Sequence, residues 1–148
     1  MPLFATRTDL ESTWSAARVA ALVSIKGGDA DAVITAALTA ASEIAVGYLV
    51  SRYRSIADLA ASACPAPLKE AVCKIALHSI GLAANHLSED VDIERSRAIA
   101  YLRDVGKGAA DLGLAGSPPE DLGAGNAVFT DATGEASDLA SALEGWLR

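Results

Sequence analysis

The sequence lacks the pairs and clusters that announce most enzymes and metal proteins. Its two cysteines, Cys64 and Cys73, stand nine apart in no CxxC arrangement, and the expectation is two reduced, buried structural thiols. The two histidines, His78 and His86, fall eight apart on one predicted helix, about 12 Å along its axis at ~1.5 Å per residue, too far to share a metal ion. No HExxH, Walker loop or G-x-S-x-G elbow occurs, and Gly123-Ala124-Gly125 has no strand before it. A basic surplus is also missing. The net charge of −7 argues against a chain that grips DNA or RNA through its phosphates. There is no charge-free apolar run of about 18 residues, so no membrane span is expected. MPLFATRTDLE has neither the basic region nor the apolar stretch of a secretory signal, and the expectation is a soluble chain made in the cytoplasm.

What is present is helical. Alanine is abundant, β-branched residues rarely alternate as in strands, and 148 residues suffice for one ordinary domain, so an all-α fold is expected. Thr8-Asp9-Leu10-Glu11 reads as a capping box opening a first helix from about Asp9 to Leu22 or Val23. SIKGGDADA breaks the pattern and offers Asp29 or Asp31 as the next cap; it lacks the later ligands of a calcium loop. From Ala32 to Tyr53 apolar residues recur three or four apart, as in Val33, Ala37, Ile44 and Tyr48 beside Ile34, Leu38, Ala41 and Leu49. Small alanines at 36, 37, 40, 41 and 45 let other backbones approach this second helix closely.

RSIADLAASACPAP then reads as a turn or short helix that must stop near Cys64, because each proline disfavours helical geometry in the residue before it. Pro67 suits the first turn of a third helix, Leu68 to about His86. Val72, Ile75, Leu77, Ile80, Leu82 and Leu87 surround it, as expected of the central, most buried helix. The acidic SEDVDIE leads into a fourth helix through Ile99, Leu102 and Val105, ended by Lys107-Gly108. The expected organisation is therefore a bundle of about four main helices over residues 1–112. A Gly/Pro-rich linker follows at 113–127, and an extended tail at 128–148 is expected to carry a short helix, from the amphipathic pattern Leu139, Leu143, Trp146 and Leu147.

Two features invite chemistry. His78 and the acidic loop Glu89, Asp90, Asp92 and Glu94 could be imagined as a metal or acid/base site; helix-start electrostatics is the simpler reading, with no metal and no cofactor. GYLVSRY, Gly47 to Tyr53, ends the second helix with two tyrosines flanking an arginine. Tyr48 and Arg52 lie four apart, so the guanidinium can stack on the ring. These side chains either close the end of the bundle or anchor a contact with another subunit, for which Tyr, Trp and Arg are favoured.

The order of features resembles the Mu-like prophage neck protein family, small helical head–tail connectors of tailed phages and gene transfer agents. The likeness lies in Ala5-Thr6, Asp9-Leu10, Ala37-Leu38, Ala41-Ser42, Tyr48-Leu49 with Arg52-Tyr53, Pro67-Leu68, the run AIAYLRDVGKGAADLGL, and Val128-Phe129-Thr130. The family's Asp before Tyr-Leu is replaced near Val46, and its Pro-Leu after Arg-Tyr is Ser55-Ile56. The resemblance implies a structural part, not an enzyme: a ring of identical subunits, a dodecamer, in the virion neck. Its partners would be copies of itself, the portal protein and the next neck or tail-completion protein, with DNA passing through the channel without specific binding and no membrane. Tyr48, Arg52, Tyr53, Phe129 and Trp146 are the expected subunit or partner contacts. A different reading of the same residues is a small helical adaptor that binds one partner protein as a dimer.

Overall fold

The computed structural model describes residues 3–114, which form five α-helices and two 3₁₀ turns with no strand among them. The fold class is all-α. The chain divides into two units, Met1–Ala115 and Gly116–Arg148, and every described residue lies in the first. The expected tail, with Phe129 and Trp146, and the linker beyond Leu114 lie outside the described residues.

Two helices stand where one was expected at the N-terminus. α1 spans Arg7–Trp14 and α2 Ala16–Lys26, separated at Ser15, whose φ of 73° no L-residue adopts inside a helix. Periodicity cannot reveal such a break, because Ser15 caps α2 through its hydroxyl and the apolar spacing resumes with little offset. The capping box is real but sits two residues earlier than expected. Thr6 is the cap, its backbone N–H and hydroxyl donate to the Asp9 carboxylate, and its hydroxyl oxygen accepts from the Asp9 N–H. Those bonds hold the Asp9 carboxyl below its ordinary range.

α3 runs Ala30–Leu49, capped by Asp29, so it stops four residues short of the expected Tyr53. It is the one described helix whose length and mean hydropathy of 1.6 would let it cross a membrane. Asp31 and Glu43 interrupt it, and Ile34, Ala37, Leu38, Ala41, Ser42, Ala45 and Leu49 are buried in the protein's own core. α4 spans Ala66–Ala83 with proline in its first turn, and α5 spans Glu89–Lys107 with Gly108 in the left-handed region as its C-cap. α4 is central, as expected: it contacts α1, α2, α3 and α5, and Val72, Ile75, Leu77 and Ile80 are buried. It ends at Ala83 instead of near His86, since Asn85 (φ 53°) turns the chain left-handed. Leu82 and Leu87, assigned above to its buried surround, are instead 63% and 40% exposed.

The N-terminal strap is fastened by a buried serine. Phe4 and Ser42 are fully buried; the Phe4 N–H donates to Ser42 Oγ at 3.2 Å, while the Ser42 hydroxyl donates to the Leu38 carbonyl at 2.8 Å. One hydroxyl thus satisfies a buried backbone donor that helix geometry alone would leave unpaired.

Candidate interaction surface

The end of α3 and the end of α5 meet without intervening side chains. A Cβ on Gly106 would lie 2.3 Å from the Tyr48 carbonyl oxygen, so only glycine permits this crossing. The residues after α3 then close around the C-terminus of α5. Arg52 Nη1 donates to the carbonyls of Val105 (2.9 Å), in the last turn of α5, and Ala110 (2.7 Å), just beyond it. A cation there also meets the negative end of the helix dipole. The Tyr53 hydroxyl donates to Asp111 Oδ1 at 2.7 Å. Burial first, and that hydrogen bond second, push the Tyr53 phenol above its ordinary value, and the same bond holds Asp111 below its own.

GYLVSRY therefore divides its labour. Tyr53 is buried, and Arg52 is half-buried and stacks on the Tyr53 ring, 5.3 Å from its centroid, rather than on Tyr48 as the four-residue spacing suggested. The reason is that α3 has already ended, so residues 48 and 52 no longer share a helical face. Tyr48 stays half-buried on the outer side. There it joins Ile44 from α3 with Arg95, Ser96, Ile99 and Arg103 from α5 around an open groove of about 470 Å³. Ile44 is 39% exposed, and Arg95 and Arg103 make no ion pair among the described residues. A second apolar exposure, unlike the first, lies at the turn from α4 to α5 and consists of Leu82 and Leu87.

The acidic residues read as a loop lie in the first turns of α5, and Asp90, Asp92 and Glu94 are engaged within the fold. Arg18 of α2 bonds Ser88 and both oxygens of Asp90, at 2.8 and 3.0 Å; the Ser88 hydroxyl first and Arg18 second hold the Asp90 carboxyl below its ordinary range. Asp92 lies 3.3 Å from His78 Nε2. Burial and then Arg95 lower the His78 value, against the opposing pull of Asp92. Lys74 bridges Glu70 (2.7 Å) and Glu94 (2.8 Å), while Arg97 reaches the other Glu94 oxygen at 2.5 Å. These pairs draw the start of α5 onto α2 and α4. Among the described residues no group of three or more His, Cys, Asp or Glu side chains could hold a metal ion.

Sequence reasoning missed Gly106, Ser42 and Asp111. Gly106 left only an ambiguous mark, a glycine inside a helical pattern, which Gly47 shares although open space surrounds it. Ser42 and Asp111 carry none, because their partners lie 38 and 58 residues away.

Residues 4–130 match the family model described as bacteriophage Mu, Gp36, and the chain belongs to that family. No curated protein matches it. Membership makes it a phage structural or morphogenesis protein. The matched span takes in Phe129 and stops before Trp146.

Proposed function

We propose that the chain is a connector subunit of the virion neck, forming a ring between portal and tail through which DNA passes, without enzymatic activity. The observation that carries this reading is the match of residues 4–130 to a Mu phage family, the same stretch whose order of features resembles head–tail connectors. Three physical features support it. A closed ring of identical copies needs two different surfaces on each subunit, and the body exposes large apolar side chains outside the α3/α5 groove as well as in it, among them Ile25, Leu82 and Leu87. Its interior is closed by backbone contact at Gly106 and by the Arg52 clasp, which suits a part that must hold its shape under load. With no basic surplus in the helical body and a net charge of −7 over the chain, the subunit has little hold on phosphate.

On this reading Tyr48 contributes to a subunit contact from the groove, while Arg52 and Tyr53 set the geometry behind it. Phe129 and Trp146 supply apolar anchors from the C-terminal region, toward a neighbouring copy or the portal. The test is a chain ended after Gly125, assayed for helix content and for particle production. The expected outcome is a helical body that still folds, with impaired assembly; complete particles built from the shortened chain would reject a docking role for the tail.

A further inference from the structure

We infer that the α3/α5 groove is the receptor for the acidic C-terminal segment, residues 135–148, of a neighbouring copy. This rests on the connector reading and names the contact that would close its ring. The groove has the make-up of a peptide site. Ile44, Tyr48 and Ile99 give an apolar floor, and Arg95 and Arg103, eight residues apart on α5 and so about 12 Å along its axis, stand at either end as cations without an ion-pair partner among the described residues.

The complementary chemistry lies in this chain's own sequence. Residues 115–148 carry six carboxylate side chains against one arginine, Arg148, and so hold five of the seven net negative charges. Within 135–148, Leu139, Leu143 and Trp146 recur at four and three residues, the spacing with which a peptide lays one apolar side into a groove, while Glu135, Asp138 and Glu144 supply charges for the two arginines. The point of departure agrees as well. The clasp of Arg52 on Ala110 and of Tyr53 on Asp111 fixes the chain, just before Leu114, at the end of the bundle where Tyr48 touches Gly106. The 20 residues from 115 to 134 reach at most about 70 Å when extended, enough to cross to an adjacent subunit. A contact of segment into groove, repeated around a ring, is heterologous and closes on itself, whereas two grooves facing each other would stop at a dimer.

The experiment is a charge swap in the full-length chain, read as weight-average mass by sedimentation up to about 1 mM. One variant carries Arg95→Glu and Arg103→Glu; the other carries Asp138→Arg and Glu144→Arg. Each alone is expected to weaken self-association by about tenfold or more. Their equimolar mixture should recover to within about threefold of wild type, because each reversed groove then meets a reversed segment on another molecule. Both variants are first checked for wild-type helix content, and if the double groove change unfolds the protein, the single change Arg103→Glu takes its place in the mixture. A mixture as weak as either variant alone, recovery only when all four changes share one chain, or a wild-type chain that stays monomeric throughout would overturn the proposal. Imaging separates this from the connector reading. Failed recovery in a protein seen at the neck removes the groove contact alone, and recovery in a protein absent from the neck removes the connector reading alone.

Discussion

Arg52 does at residue scale what a second cap would do at the end of α5. Its two bonds to the carbonyls of Val105 and Ala110 join positions 53 and 58 residues apart in sequence. Charged hydrogen bonds of this kind are worth ~1.5–3 kcal/mol, so Arg52→Ala should lower unfolding stability by about that amount in urea titrations. An Arg52→Lys chain should recover only part, since an ammonium loses the stacking of the guanidinium on the Tyr53 ring. Ser42→Ala should cost about 1–3 kcal/mol by leaving the buried Phe4 N–H without a partner; a change within error would remove the serine from the account. The cysteines are quiet for a physical reason: burial pushes the Cys64 thiol up to about 11 and the Cys73 thiol to about 12. Both should react with disulfide reagents at pH 8 only as fast as the fold opens, and denaturant should speed the reaction by orders of magnitude. Residue types at this scale were legible in the sequence, but partners were not. GYLVSRY announced itself by composition, yet which of its side chains face inward depended on where α3 stops.

Among the elements, two glycines one helix apart should behave oppositely. Gly106→Ala drives a methyl group into the Tyr48 carbonyl and should destabilise by about 1–3 kcal/mol, visible as a lower thermal midpoint. Gly47→Ala has open space around its Cβ inside α3 and should stabilise by ~0.5–1 kcal/mol. The first helix gives a pH prediction. The folded Asp9 carboxyl lies below its unfolded value of about 3.9. Its contribution is therefore complete above that pH and is lost as pH falls through the folded value. His78 works in the same direction at milder pH: its folded value lies below the unfolded ~6.5, so acidification through that range favours unfolding. The urea midpoint should drop on going from pH 7 to 5.5 and again from 4 to 2.5, and His78→Gln should flatten the first step alone. Helix identity was legible from periodicity, and the Lys107-Gly108 stop and the Pro67 start fell where expected. The Ser15 break, the early ends of α3 and α4 and the outward turn of Leu82 were not. Each is decided by a left-handed residue or by tertiary contact, and neither leaves a mark on local spacing.

For the whole molecule, order of features told more than any single motif. The family emerged from pairs such as Tyr48-Leu49 and Arg52-Tyr53 strung over most of the chain, and the match across residues 4–130 places the protein in it. The groove between α3 and α5 was not legible, because it needs Ile44 and Ile99 side by side, 55 residues apart in sequence. Charge at this scale is uneven, with most of the acidic excess beyond Leu114, which leaves the helical body close to neutral and able to pack against copies of itself. The connector proposal is tested most directly by cryo-electron microscopy of purified particles focused on the head–tail junction. It predicts a ring of helical density around the DNA channel into which residues 3–114 fit with the α3/α5 groove at a subunit boundary. Particles whose junction holds no copy of this chain would contradict it.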